Sequence, residues 1–138
     1  MTVLLATGCG AASTAGNFPI VVAHPNVQTT GVPSVKGDAA LLLASSRVVF
    51  NTTGSSSCVW LPTRLTVLDS SSIRIDMHVD GLVARCTGGA VPFPISVKIP
   101  RIVDVHHSLT IRLAFRVRLP SGHVNQSEHV LVAPALGG

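Results

Sequence analysis

Six histidines, three cysteines and six carboxylates hold most of the reactive chemistry in this chain. The adjacent His106 and His107 are the first place to look for a metal. Neighbouring side chains on a strand point to opposite faces, so the pair can share one ion only in a loop. His24, His78, His123 and His129 are scattered, and neither H-x-H nor H-E-x-x-H occurs. A blue-copper centre would want a cysteine and a methionine near a histidine in the last third, which has neither. These spacings point to no metal and no other cofactor. Serine, histidine and aspartate are all present, but no G-x-S-x-G elbow or linking spacing assembles them into a triad. Asp76 and Asp80 share a strand face at a separation of ~13 Å, too far to act together on one glycosidic bond. Neither Cys58 nor Cys86 belongs to a C-x-x-C, which argues against thiol redox catalysis. No phosphate loop or dinucleotide fingerprint is found. The expectation is a protein that is not an enzyme. The alternative is a hydrolase whose site is assembled from loops.

Charge gives one further candidate. The formal net charge is +4, from ten Lys and Arg against six Asp and Glu. The basic residues are spread along the chain and fall short of the clustered face of a nucleic-acid binder. Arg112, Arg116 and Arg118, however, project from one face of the longest strand pattern. They form a candidate anion-binding face for wall polymer or phospholipid head groups. The competing reading is a solvated outer face whose arginine stems cover the sheet.

The elements that must carry these residues read as strands. Ile73, Ile75, Met77 and Val79 alternate with Arg74, Asp76, His78 and Asp80 over eight residues, the period of a half-buried strand. Arg64–Leu68 precedes it across an Asp69–Ser72 turn, so a hairpin is expected. Phe93, Ile95, Val97 and Ile99 alternate in the same way. Leu109, Ile111, Leu113, Phe115, Val117 and Leu119 make the longest run, with 130–133 as its hairpin partner. Prolines at 19, 25 and 33 forbid a helix early in the chain and leave room for a short strand near 20–23. Residues 38–50 are read as one strand, although Asp38 followed by Ala39–Ala44 also suits a capped helix. Residues 51–57 and 120–123 are turn chemistry. The expected fold is all-β: an immunoglobulin-like antiparallel β-sandwich of about seven strands. Trp60 is too close to Cys58 to be the central tryptophan of an antibody domain. Aromatics are few, so Val, Leu and Ile must fill the core. No run reaches the ~18 apolar residues that span a bilayer.

At the start, Val3–Ala6 leads to small residues, Gly8 and Cys9. This resembles the end of a bacterial lipoprotein signal peptide, in which the cysteine becomes the lipidated terminus. The basic region and most of the apolar region of such a signal are missing. A frayed terminus that happens to hold a cysteine is the other reading. If Cys9 takes lipid, residues 1–18 are a signal remnant and tether and 19–138 a single domain. Cys58 and Cys86 are then left as a disulfide staple around the hairpin, worth about 3.6 kcal/mol in the chain-entropy view. Two buried free thiols in a cytosolic protein are the alternative.

Gly54-Ser55-Ser56-Ser57-Cys58, Pro62-Thr63 and Cys86-Thr87 together resemble a group of small secreted proteins and lipoproteins of actinobacteria, of unassigned function. Val59 stands where proline is common in that group, and Gly88-Gly89 where a polar pair is common. The likeness covers the middle third and the lipobox-like start. It implies an exported domain on the outer face of the cell membrane, with a binding or structural role. It transfers no catalytic residue. The expected partners are the membrane surface through the lipid on Cys9, and an anionic wall polymer or an envelope protein. Nucleic acid is not among them. Two measurements check this: peptide mapping without reductant is expected to recover a Cys58–Cys86 cross-link, and Cys9→Ala to abolish fatty-acid labelling.

Overall fold

The computed structural model describes residues 18–54, 59–79, 91–119 and 121–136. Cys9, Cys58, Cys86 and Asp80 lie outside them, and with them the anchoring and disulfide assignments. The described residues contain no helix. They form nine strands: β1 Ile20–Ala23, β2 Val27–Gln28, β3 Ala40–Leu43, β4 Arg47–Gly54, β5 Trp60–Asp69, β6 Ser72–Val79, β7 Val91–Lys98, β8 Leu109–Arg118 and β9 Val124–Ala133. One sheet has the order β9-β8-β6-β5-β1 and the other β2-β7-β4-β3. The two share a single buried core.

That core follows from alternation. Ile73, Ile75, Met77 and Val79 of β6 are buried, while Arg74 and His78 face outward. Leu109, Ile111 and Leu113 of β8 line up beside them, and Leu42, Val48, Phe50, Ile95 and Val97 oppose them from the second sheet. Each such side chain contributes on the order of 1.5–3 kcal/mol by leaving water. At the far end of β8, Phe115 meets the edge of Trp60 at 5.3 Å between ring centroids and 88° between planes, a favoured aromatic geometry.

The structure departs from the sequence reading in four places. The 38–50 strand is two strands, because Ala44–Ser46 turns tightly and Leu43 pairs with Arg47. Ser46 takes the left-handed conformation (φ 61°) that a three-residue hairpin needs, and no glycine or asparagine announced it. β2 is a two-residue pairing inside the proline-rich stretch. These two additions raise seven strands to nine. Third, β6 and β8 run parallel, with Ile73 beside Ile111 and Ile75 beside Leu113, so the larger sheet is mixed rather than purely antiparallel. Fourth, β4 continues through Asn51–Thr53, which had read as a turn, and β9 begins at Val124 rather than near 130. In residues 125–129 the side chains are polar on both faces, so no periodic signal marks them as strand.

Local details fit these assignments. Asp69 accepts the Ser71 amide at 2.8 Å and its hydroxyl at 3.2 Å, closing the β5–β6 turn. A bulge beside Pro62 spares that residue a ladder bond. The bulged Thr63 instead accepts the His24 amide at 3.1 Å. One end of the molecule is closed by the β7–β8 loop. Its Asp104 amide donates to Ser70 at 2.7 Å, and its Val105 carbonyl accepts the Leu136 amide at 2.8 Å.

The outer face of the smaller sheet is covered as well. Val49 is fully buried although it points away from the core, and so is its partner Ser96. Asn51, on the same face, donates to the Val35 carbonyl at 3.0 Å and the Gly37 carbonyl at 3.3 Å. Segment 29–39 therefore straps across this face on its way from β2 to β3. Arg47 completes the cover, donating to the Ser96 hydroxyl at 2.5 Å and to the Asn26 carbonyl at 3.1 Å.

Two neighbouring residues of β4 make opposite predictions in denaturant unfolding. Asn51→Ala releases the strap and is expected to cost about 1 kcal/mol. The Thr52 hydroxyl is buried and finds no partner among the described residues. Thr52→Val keeps the shape and removes that desolvated oxygen, so stability is expected to rise by about 1 kcal/mol.

Candidate functional site

The outer face of the five-stranded sheet gathers most of the exposed charge. Three cross-strand rows build it. Arg112 on β8 lies beside Arg74 on β6, which lies beside Thr66 on β5. In the next row Glu128 of β9, Ala114 of β8, Asp76 of β6 and Arg64 of β5 follow one another. Further along, Gln126 faces Arg116, and Val124 faces Arg118. Arg64, Arg74, Arg112, Arg116 and Arg118 are all exposed. Five arginines and two carboxylates thus share one face.

Ala114 lies within the face, and its small side chain leaves the floor low. Longer side chains around it, among them Arg74, Asp76, His78, Arg116 and Gln126, wall an open basin of about 740 Å³. Arg74 Nε lies 3.3 Å from Asp76 Oδ1, and Arg112 Nη1 lies 3.5 Å from Glu128 Oε1. Both pairs are partly exposed and contribute at most about 1 kcal/mol each to stability. Arg64, Arg116 and Arg118 make no ion pair with any described residue.

The sequence reading placed Arg112, Arg116 and Arg118 on one face, and the structure does the same. It adds Arg64 and Arg74, which the sequence reading left out of the cluster. Their outward parity was legible in the alternation. Their nearness to β8 was not, because it depends on the parallel β6–β8 pairing between strands far apart in sequence.

The remaining candidates stay apart. His106 and His107 do lie in a loop, but His107 Nδ1 sits 2.6 Å from Asp104 Oδ2, and Asp104 Oδ1 accepts the His106 amide at 2.9 Å. This is a capped turn. No three metal-ligating side chains gather anywhere among the described residues. A second cavity, of about 390 Å³, opens between the two sheets and is lined by Trp60, Phe115, Ser127, His129 and Asp38. There His129 Nε2 lies 3.2 Å from Asp38 Oδ1. The charges of Asp76 belong to the basin instead, and His24 and His123 face solvent away from both cavities.

Comparison of the chain with family models, curated proteins and solved structures gives no match.

The Asp104 turn sets a pH test. The backbone amide of His106, and after it the side chain of His107, hold the Asp104 carboxyl below the ordinary aspartate value. Its stabilisation is then complete above about pH 4 and is lost as pH falls through the lower folded value. A carbon-detected NMR titration is expected to show that low midpoint. Asp104→Asn is expected to destabilise the protein at neutral pH, with the difference from the parent vanishing in strong acid.

Proposed function

We propose that this chain is the folded domain of an exported, lipid-anchored envelope protein that acts without catalysis, and that its arginine face binds an anionic envelope polymer. The proposal sets it outside the cell membrane, anchored through Cys9 and stapled by Cys58–Cys86. It takes the two-sheet fold as immunoglobulin-like, on the grounds of its size and its mostly antiparallel strands. The observation that carries the binding role is the basin over Ala114, lined by Arg64, Arg74 and Arg116 against Asp76 and Glu128, with Arg112 and Arg118 on the same sheet face beyond it. Arginine forks suit phosphate and carboxylate oxygens in pairs. A rigid sheet fixes their spacing without ordering a loop. An open array of cations on one sheet face suits a long ligand with repeated charge better than a small one that needs enclosure.

A second reading, an envelope hydrolase, draws on the other cavity, where the Asp38–His129 pair lies near Ser127. No hydrogen bond joins Ser127 to His129 there. If that serine were a nucleophile, a fluorophosphonate probe would label it, and Ser127→Ala would remove the label.

Binding is tested with long-chain polyphosphate and with polyglutamate, which separate phosphate from carboxylate recognition. Affinity is expected to fall as salt rises. Reversing both Arg64 and Arg116 to Glu is expected to weaken binding by about tenfold or more at low salt. Arg101→Glu, on the exposed β7–β8 loop, changes the net charge equally per site and is expected to have little effect. Equal losses from all three positions would reduce the effect to net charge and sink the site.

A further inference from the structure

We infer that the free edge of β9 pairs with β9 of a second copy of this chain, joining the two larger sheets into one. The two sheets have four edges. β1 and β3 are four residues long and β2 is two, whereas β9 is ten. Short edge strands, prolines and lysines are the usual guards against strand addition. β9 has none of these: its sequence is Val-Asn-Gln-Ser-Glu-His-Val-Leu-Val-Ala, with a single carboxylate. Among the described residues no strand pairs with its second side. Val130 on it is 47% exposed, an apolar side chain on the outer face of the strand.

The partner is identified by the strand's own sequence. Antiparallel self-pairing must set residues of the same face opposite each other. A two-fold axis through Ser127 places Val124 opposite Val130 and Gln126 opposite Glu128 on the outer face. On the inner face it places Asn125 opposite His129 and Ser127 opposite itself. Each pair is apolar with apolar or polar with polar, and no like charges meet. Shifting the axis to Glu128 sets carboxylate on carboxylate. Shifting it to His129 sets imidazole on imidazole and Glu128 on Val130. Both are poorer cross-strand pairings. The Ser127 register is thus favoured over these two, and over an axis at Gln126, which would set Val124 on Glu128.

This interface does not depend on what the arginine face binds. It does extend that face, because the outer rows of β8 and β9 continue into those of the second copy. Sedimentation equilibrium of the full chain is expected to show a reversible monomer–dimer equilibrium, saturating in the high micromolar range or below. Residue 126 then decides the register. Gln126→Lys meets Glu128 of the other copy and is expected to tighten the dimer. Gln126→Glu meets the same carboxylate and is expected to weaken it. Each contact occurs twice, so the shift is roughly 2- to 30-fold in either direction. Bulk charge pushes the other way, since Gln126→Lys raises the net charge of +4 that each copy already carries. A chain that stays monomeric throughout the range overturns the inference. So does a dimer whose strength is unchanged by the sign of residue 126, or one that Gln126→Lys weakens.

Discussion

The parallel contact between β6 and β8 is the constraint on which the rest of the larger sheet depends. Ile73 with Ile111 and Ile75 with Leu113 are buried side by side. A slip of one residue would turn every isoleucine outward and every arginine into the core. Apolar burial and the cost of an unpaired guanidinium inside therefore select the same register. Once that register is set, the outward positions have no freedom left. Arg74 must lie beside Arg112, and Asp76 beside Ala114. The charged face follows from the core as its complement.

The smaller sheet solves a different problem. Its outer face carries Val49, an apolar residue where water would be expected. Segment 29–39 covers it with backbone and half-buried valines at 32 and 35. Asn51 then uses its side chain to satisfy the Val35 and Gly37 carbonyl groups of this irregular segment, and Arg47 ties Ser96 to the Asn26 carbonyl beside it. Among the described residues one sheet is thus wrapped on both sides, while the other has no segment across its outer face. That difference is why the exposed basin sits where it does.

Much of this was legible in sequence, for reasons that can be named. The β6 and β8 strands announced themselves because half-burial imposes period two, and the β5–β6 turn because Asp69 and its serines bond their own backbone. What sequence could not give was adjacency. Arg64 and Arg74 belong with Arg112 only through pairing partners far away along the chain. The hairpin at Ser46 was hidden because a serine occupies a backbone conformation that usually calls for glycine or asparagine. The first half of β9 was hidden because its strand state is held by backbone pairing to β8 rather than by any apolar face. The His106–His107 pair drew attention as a metal candidate because sequence does not show that Asp104 already engages it.

The order of the larger sheet also orients the molecule. The chain enters the fold through β1, at one edge of that sheet, and β9 forms the opposite edge. Five strands set the two edges roughly 19 Å apart. Any attachment made through the residues preceding Phe18 therefore pulls on the side farthest from β9. If two copies join through β9, as inferred above, both β1 edges lie at the far ends of the joined sheet.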